Sequence, residues 1–353
     1  MIETLEQKTY DKNIDSYEGL VTPQQIKNQI PAREVYESVI NSRKTIEDIL
    51  DGKDKRIMFI AGPCSIHNHD EAIEYAILLK EESKKYKDKL FTIMRAYFEK
   101  PRTRTGWEGF VYDPELNSSY NIDEGLKLSR DILVRMAEIN LPSITEFLST
   151  ITPQYIDDLL SIATIGARTT ESQIHRNLVS GLSMPVGFKN STSGDIDTAI
   201  DSMIASLYPH SFLGITKEGQ ACKVKTKGNN YTHLILRGGN GQPNYKPELV
   251  NAAINKLEKA GEKYPINKSI IIDCSHANSG KNYEKQREVG IEVLKQINNG
   301  NKHIKALMFE SNIHEGNQPM NFPLKYGTSI TDGCIGWQET CELMKEFYTD
   351  LKN

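Results

Sequence analysis

Long apolar runs are missing from this 353-residue sequence, and none approaches the roughly 18 residues that a membrane span needs. The first twenty residues are polar and acidic, without the apolar core that a secretory signal carries. Cysteine is also scarce, with five residues at positions 64, 222, 274, 334 and 341. Their odd number and the lack of a CxxC pair disfavour a disulfide framework and a structural zinc knuckle. We therefore expect a cytoplasmic protein.

An excess of charge of either sign is absent as well. The 43 Lys+Arg and 47 Asp+Glu residues give a formal net charge of −4. A general nucleic-acid or membrane-surface binder would carry excess basic charge, so any cationic site must be local. The sequence also lacks a GxxxxGK[ST] loop, and no GxxG follows the glycines at 238–241, so nucleotide binding has little support.

What the sequence does contain is an alternation of short apolar strands and amphipathic helices. Eight strands are predicted, at Arg56–Ala61, Leu90–Met94, Ser143–Leu148, Ile162–Gly166, Pro185–Phe188, His210–Thr216, Ser269–Asp273 and Ile304–Phe309. Strands that alternate with helices indicate parallel βα units, and eight such units close a (β/α)₈ TIM barrel. A doubly wound open sheet is the alternative fold.

Three segments fall outside this repeat. Residues 1–50 form an N-terminal extension with a helix predicted over Ala32–Leu50, and the barrel is expected over residues 51–353. Residues 217–236 contain two β-like runs around Gly228, which predicts a β-hairpin inserted after strand six. The segment Ala96–Asn121 is predicted to be a long loop, and loops of this length inside a compact domain are usually functional.

Cationic side chains follow the predicted strands. In a barrel the C-terminal strand ends share one face, which carries the active site. The cations expected on that face are Arg95, Lys100, Arg102, Arg168, Lys189 and Arg237. Arginine forks match the geometry of phosphate and carboxylate, so the set predicts a site for anionic substrates, although any one of them alone could be an ordinary surface charge.

A second set of side chains on this face combines a thiol, an imidazole and two carboxylates: Cys64, His276, Glu310 and Asp332. This mixture suits Mn, Fe, Co or Zn better than Mg or Ca. Spacing alone leaves an alternative open, in which Cys64 is a small buried apolar residue, His276 is a hydrogen-bonded core histidine and the acids are helix caps.

Seven motifs in fixed order carry a family resemblance. The segments GPCSIH, MRAYFEKPRT, GARTTESQIHR, GFKN, ILRGG, DCSHAN and SITDGCIGW resemble the type I 3-deoxy-D-arabino-heptulosonate 7-phosphate (DAHP) synthases of the microbial, feedback-regulated branch. The resemblance spans nearly the whole chain. It implies a metal-dependent TIM barrel that condenses phosphoenolpyruvate with erythrose 4-phosphate, the first step of the shikimate pathway of aromatic amino-acid and chorismate biosynthesis.

The resemblance also implies roles for single residues. Carried over by position, it makes Cys64, His276, Glu310 and Asp332 the four ligands of one divalent metal ion. It puts phosphoenolpyruvate against Arg95, Lys100, Arg168, Lys189 and Arg237, with Glu146 nearby, and the phosphate of erythrose 4-phosphate near Arg102 and Thr103. Cys64, His276 and Lys100 are expected to be catalytic. As a hypothesis, Lys100 delivers a proton to the aldehyde oxygen, because a lysine among cations can have a lowered pKa.

The extension and the hairpin match the parts that relatives use for a regulatory aromatic amino acid. Gly214 resembles tyrosine-inhibited members, whereas phenylalanine-inhibited members tend to have serine, and a smaller residue leaves space for the phenolic oxygen. We expect inhibition by tyrosine, with Pro153, Gln154, Phe212 and Gly214 near the effector. Relatives with such extensions form homodimers or homotetramers, and the same is expected here.

Parts of the sequence are also compatible with two other functions. The related eight-carbon synthase uses arabinose 5-phosphate, but the KPRT motif and the long extension argue against it. A non-catalytic sensor of aromatic amino acids is the other alternative, and such a sensor would have no need of Cys64 or Lys189. No nucleic-acid or membrane partner is expected.

Overall fold

The computed structural model describes residues 9–352, so residues 1–8 of the predicted extension lie outside the described residues. The strands of the described part are β1 (Ile57–Gly62), β2 (Leu90–Arg95), β3 (Ser143–Phe147), β4 (Ile162–Ile165), β5 (Val186–Lys189), β6 (Ser211–Ile215), β7 (Ala221–Lys225), β8 (Thr232–Leu236), β9 (Ile270–Asp273) and β10 (Ile304–Glu310). Eight of them close a barrel in the order β1-β10-β9-β8-β5-β4-β3-β2, and every pairing in it is parallel. The predicted (β/α)₈ barrel is therefore confirmed, and the open sheet is excluded.

Helices surround the barrel. They are α1 (Pro23–Gln29), α2 (Tyr36–Leu50), α3 (His69–Ser83), α4 (Ile122–Glu138), α5 (Pro153–Ile156), α6 (Gln173–Val179), α7 (Asp197–Ser206), α8 (Pro247–Gly261), α9 (Gln286–Asn298) and α10 (Trp337–Asp350), with short 3₁₀ turns at Arg33–Val35, Asp157–Leu159 and Tyr283–Lys285. Asn68 begins α3 by accepting the backbone N–H of Glu71, the N-cap arrangement that short polar side chains favour. Among the described residues, no helix is both long enough and apolar enough to cross a membrane.

The interior of the barrel is apolar from the N-terminal ends of the strands to about its middle. Ile60, Ile93 and Ile271 point into it and pack in one cluster with Ile46 and Ile49 of α2. The C-terminal end of α2 therefore closes the barrel at the N-terminal ends of the strands, where Ser269 donates to the carbonyl of Leu50. This arrangement leaves the opposite, C-terminal end of the barrel open for a site.

The inserted hairpin is present, but its strands differ from those predicted. It consists of β6 and β7, and the predicted strand over His210–Thr216 is its first arm rather than a barrel strand. The barrel strand is β8, which the prediction had assigned to the hairpin over 217–236. The hairpin therefore precedes the sixth barrel strand. The reason is burial: β8 is buried throughout, as barrel strands require, whereas Leu213 in β6 is 87 % exposed.

Candidate functional site

A cavity of about 470 Å³ lies among the loops that follow the barrel strands. It is lined by Arg95, Tyr97, Lys100, Pro101, Arg102, Thr103, Arg104, Thr105, Glu146, Ala167, Arg168, Lys189, Arg237, His276, Lys281, Ile330, Thr331 and Asp332. The fold thus brings together all six cations that the sequence predicted for this face. Barrel geometry explains the convergence, since these residues are distant in sequence but follow neighbouring parallel strands.

Arg95 ends β2 and is fully buried at the base of the cavity. Its guanidinium lies 3.1 Å from a carboxylate oxygen of Glu310 and 4.0 Å above the ring of Tyr97. Burial disfavours the charge, but Tyr97 and Glu310 outweigh burial and raise the pKa of Arg95. The cavity therefore has a fixed positive charge at its base.

Lys189 ends β5 and forms a buried ion pair with Glu146 of β3, with 2.7 Å between Nζ and Oε2. Burial opposes both charges, yet the pair raises the pKa of Lys189 and lowers that of Glu146, so both stay ionised. Gly166 makes room for the pair, because a Cβ at that position would overlap the Glu146 carboxylate. A second carboxylate, Asp273, lies 3.9 Å from the Lys189 Nζ.

The outer part of the cavity is built from exposed side chains. Arg168 follows β4 and donates to the hydroxyl of Thr103 at 3.1 Å, which joins the loop after β4 to the long loop after β2. Arg102 is exposed beside Thr103, and Arg237 after β8 is half-buried. Because these arginines reach into solvent, an anion can meet them before it reaches the buried cations.

Three of the four predicted metal ligands form a compact group. One ligand atom each from Cys64, Glu310 and Asp332 lies within 4.8 Å of the others. Glu310 is held in place by Gln286, whose side chain accepts from the Glu310 N–H and donates to its carbonyl. Burial raises the pKa of the Cys64 thiol, and Glu310 adds to that effect.

The fourth predicted ligand, His276, stands at the edge of this group. Its Nε2 lies 4.0 Å from Glu310 Oε1, and its Nδ1 lies 2.9 Å from Asp273 Oδ2 and 2.8 Å from the Ser275 hydroxyl. His276 adopts a positive φ of 54°, an uncommon conformation for a residue other than glycine. One thiol, one imidazole and two carboxylates fit Mn, Fe, Co or Zn, and the alternative assignment of the acids as helix caps has no support, because neither caps a described helix.

Lys100 connects the cavity to the ligand group. Its ammonium donates to the Cys64 sulfur at 3.1 Å and to the Cys64 carbonyl at 3.2 Å. The expectation of a lowered pKa was wrong. Burial acts in that direction, but the interactions with the Cys64 sulfur and the Glu310 carboxylate outweigh it and raise the pKa of Lys100. The groups that act on Lys100 are thus a thiol and carboxylates, not the cations expected beside it from the sequence.

Sequence reasoning missed three residues of this site. Tyr97 supplies the ring beneath Arg95 and lies 5.3 Å from the Lys189 Nζ. Asp273 links Lys189 to His276, and Lys281 lies 3.9 Å from Asp332. Asp273 could have been found, because it is the last residue of β9 and begins the DCSHAN motif.

The predicted effector residues occupy two separate elements. Pro153 and Gln154 begin α5, and Phe212 and Gly214 lie in β6. A Cβ at Gly214 would lie 2.7 Å from the Val224 side chain across the hairpin, so a larger residue there must displace Val224. Their role in effector binding stays a prediction.

The hairpin turn contacts the N-terminal extension and the turn after α5. The Gln24 N–H donates to the Lys217 carbonyl at 2.8 Å, and Lys217 Nζ lies 3.9 Å from Asp157. Lys27 of α1 contacts Asp158 at 3.1 Å. The N-terminal extension and the hairpin, which the sequence predicts to be regulatory, therefore contact each other and share the 3₁₀ turn at Asp157–Leu159 as a partner.

Comparison with known proteins identifies the family. The model of the DAHP synthetase I family matches residues 25–345. The chain belongs to this family. A Tyr-sensitive phospho-2-dehydro-3-deoxyheptonate aldolase of Salmonella typhimurium is 47% identical over 336 residues, covering 94% of this chain and 93% of that protein. The Phe-sensitive enzyme of Escherichia coli is 45% identical, with 97% of each chain covered. A solved structure of the Francisella tularensis phospho-2-dehydro-3-deoxyheptonate aldolase has a TM-score of 0.93 and 45% identity, covering 96% of this chain and 98% of that one.

Proposed function

We propose that this protein is a DAHP synthase, a transferase that condenses phosphoenolpyruvate, erythrose 4-phosphate and water into DAHP and inorganic phosphate. One observation carries the proposal: a cavity lined by six predicted cations adjoins a group of one thiol and two carboxylates. Two phosphorylated anions repel each other, so a site that holds both side by side must offset their charge. The membership of the DAHP synthetase I family supports the same chemistry.

The cations divide between the two substrates by depth. The buried Arg95 and Lys189, with the half-buried Lys100 beside them and Arg168 and Arg237 above them, bind the phosphate and carboxylate of phosphoenolpyruvate. The exposed Arg102 and Thr103 bind the phosphate of erythrose 4-phosphate at the mouth. This order sets C3 of phosphoenolpyruvate toward the aldehyde carbon of the tetrose. Glu146 holds Lys189 in place through their 2.7 Å ion pair.

Cys64, His276, Glu310 and Asp332 would hold one divalent metal ion, and their mixed donor set fits Mn, Fe, Co or Zn. Such an ion supplies Lewis-acid polarisation of a carbonyl oxygen when it is bound. Asp273 keeps the His276 ring oriented, since it contacts Nδ1 and leaves Nε2 toward Glu310.

Lys100 acts as the proton donor. C3 of phosphoenolpyruvate attacks the aldehyde carbon, Lys100 protonates the aldehyde oxygen as it becomes a hydroxyl, and water adds at C2 with loss of one proton to solvent. In the resulting hemiketal phosphate the C2–O bond to phosphate breaks, inorganic phosphate leaves with that electron pair, and the remaining C2 hydroxyl loses its proton to become the ketone of DAHP. The raised pKa keeps Lys100 protonated when substrate arrives, and its proton passes only as the attack builds negative charge on the aldehyde oxygen.

A comparison of aldoses tests the proposal against its alternatives. Purified protein is assayed for phosphate release from phosphoenolpyruvate with erythrose 4-phosphate or arabinose 5-phosphate, across Mn, Fe, Co and Zn. We expect release with the tetrose. Preference for the pentose favours the eight-carbon synthase, and no release under any condition favours the amino-acid sensor.

Regulation by tyrosine is part of the proposal. Relatives include Tyr-sensitive and Phe-sensitive enzymes, and Gly214 favours the tyrosine group. Pro153, Gln154 and Phe212 are the further residues assigned to the effector. Activity is measured with tyrosine or phenylalanine added, and stronger inhibition by phenylalanine contradicts the assignment. A homodimer or homotetramer in the cytoplasm is the assembly that we propose, and light scattering measures its mass.

A further inference from the structure

Glu99 is a buried carboxylate that the chemistry above does not use. It precedes Lys100 in the long loop between β2 and α4 and is 2 % exposed. A carboxylate rarely becomes this buried unless it is paired, and no cation of the described chain forms an ion pair with it. Its burial beside a predicted catalytic lysine therefore needs a physical reason.

Four hydrogen bonds converge on the Glu99 carboxylate. Oε2 accepts the Leu148 N–H at 3.1 Å, and Oε1 accepts the Ser149 N–H at 3.1 Å and the Thr152 hydroxyl at 3.2 Å. The Tyr112 hydroxyl donates to Oε1 at 3.0 Å. Three of the donors belong to the turn that follows β3. Glu99 therefore fastens the long loop to the end of a barrel strand.

The backbone groups on either side of Glu99 form hydrogen bonds within the loop itself, not to the barrel. The Lys100 N–H donates to the Glu108 carbonyl at 2.8 Å, and the Val111 N–H donates to the Phe98 carbonyl at 3.2 Å. The loop is thus doubled on itself, and the Glu99 side chain ties the doubled loop to the barrel. Lys100, Arg102 and Thr103 follow directly on this attachment.

The turn that receives Glu99 is itself held firmly. The His175 ring of α6 contacts the Leu148 carbonyl at 2.8 Å, and the Ser149 hydroxyl accepts the Ile151 N–H at 3.0 Å. Glu146, the partner of Lys189, lies three residues before Ser149 on β3. Glu99 therefore holds the loop that carries Lys100 against the strand that carries Glu146.

A carboxylate suits this position better than an amide does. Both of its oxygens accept, whereas glutamine must turn its NH₂ donors toward either the Leu148 N–H or the donors around Oε1. Burial raises the pKa of Glu99 to about 7, although the hydrogen bonds from Leu148 and Ser149 oppose that change, so both oxygens accept throughout the population only above that pH. Burying an ionised carboxylate costs free energy of desolvation, a cost that is often found at groups that position a functional site.

We infer that Glu99 is a positioning residue: its four hydrogen bonds fix the Lys100–Thr103 segment against the end of β3. The inference rests on the proposed function for the roles of Lys100 and Arg102. The tetrose should be affected more than phosphoenolpyruvate, because the segment carries Arg102 and Thr103, whereas Arg95 and Lys189 are held by other contacts and only Lys100 of the phosphoenolpyruvate cations belongs to the segment.

Glu99→Gln tests this inference, with Glu108→Gln as its matched control. Glu108 belongs to the same loop, but its side chain is exposed. For Glu99→Gln we expect the KM for erythrose 4-phosphate to rise and kcat to fall, each by about 10- to 100-fold. The dissociation constant of phosphoenolpyruvate, measured by titration without tetrose, should change by at least about threefold less than that KM, since Arg95 and Lys189 stay in place and only Lys100 and the Thr103 contact of Arg168 are displaced. Glu108→Gln should match the unaltered protein.

A readout that needs no substrate separates this inference from the proposed function. Hydrogen exchange is followed in peptides covering residues 97–104 and 147–153, and Glu99→Gln should speed exchange in both by at least about tenfold while the barrel strands keep their protection. Where Glu99→Gln does not fold, Thr152→Val combined with Tyr112→Phe removes two of the donors and should speed exchange in the same peptides. Unchanged exchange in the folded variant, or equal weakening of both substrates, overturns the inference. Absence of phosphate release by the unaltered protein overturns only the proposed function, because the exchange result still decides the role of Glu99.

Discussion

The ammonium of Lys100 lies 3.1 Å from the sulfur of Cys64. This contact joins the two sets of residues that the sequence analysis kept apart, the anion-binding cations and the predicted metal ligands. It also makes the two groups depend on each other, since burial raises the pKa of Cys64 while the Lys100 charge opposes that rise. A protonated Lys100 can therefore donate its proton to a substrate aldehyde oxygen that lies next to the predicted metal ligands.

Replacement of Lys100 tests its role as an acid. Lys100→Arg keeps the positive charge but does not release a proton near neutral pH. We expect kcat to fall by roughly 10²- to 10⁴-fold in both Lys100→Arg and Lys100→Met, because loss of general acid catalysis has this magnitude. Steady-state kinetics check the result. Near-normal kcat in Lys100→Arg would show that only charge is needed.

Cys64→Ser tests the ligand group directly. Replacing the thiol by a hydroxyl removes the soft donor, so affinity for Zn or Co should fall by at least about 100-fold. Metal titration against a competing chelator measures the dissociation constant. Cys341→Ser is the control, because Cys341 is a half-buried residue of α10 outside the site. Equal affinities in the two variants would remove Cys64 from the ligand set.

Glu146→Gln should destabilise the fold. It leaves the buried Lys189 without its 2.7 Å partner, and breaking a buried pair from one side costs about 3 kcal/mol or more. Urea unfolding measures the free energy. Glu124→Gln serves as the control, since Glu124 pairs with Lys127 on the exposed face of α4 and should contribute less than about 1 kcal/mol. A loss below 1 kcal/mol in Glu146→Gln would mean that Asp273 holds Lys189 on its own.

Asp158 should make stability depend on pH in the acid range. Burial would raise its pKa, but Arg130 and Lys27 outweigh burial and lower it from 3.8 to about 2. The folded-state pKa is therefore below that of the unfolded chain. Ionised Asp158 stabilises the fold above about pH 4 by about 2 kcal/mol, and this contribution is lost as the pH falls toward 2.

Asp158→Asn measures that contribution. The difference in free energy of unfolding from the unaltered protein should be constant from pH 7 to about pH 4 and should shrink below it. Asp201→Asn, at an exposed position of α7, is the control for removal of a surface carboxylate. A difference for Asp158→Asn that stays the same at pH 3 contradicts the account.

The fold was largely predictable because parallel barrel strands are short, apolar and separated by amphipathic helices. The error over His210–Thr216 has a physical origin. An apolar pentapeptide such as Ser211–Ile215 can be a barrel strand or one arm of a surface hairpin, and local sequence does not distinguish them. Only tertiary burial does, and Leu213 is exposed while β8 is covered on both faces.

Much of the candidate site followed from motif order and from the rule that strand ends converge. Tyr97 was missed because it acts only through contacts with Arg95 and Lys189, whereas Asp273, which ends β9 within a recognised motif, could have been found. The pKa of Lys100 was predicted in the wrong direction for a related reason. Sequence gives the charges on a face, but the neighbour at 3.1 Å, Cys64, is fixed only by the fold.

The central claim is condensation with release of phosphate by C–O cleavage, and one isotope measurement tests it most directly. Phosphoenolpyruvate labelled with ¹⁸O at the oxygen that bridges C2 and phosphorus is incubated with the metal-loaded protein and erythrose 4-phosphate. The account predicts that phosphate appears only when the tetrose is present, in equal amount to the DAHP formed, and that it retains the label. Unlabelled phosphate, or phosphate released without the tetrose, would contradict it.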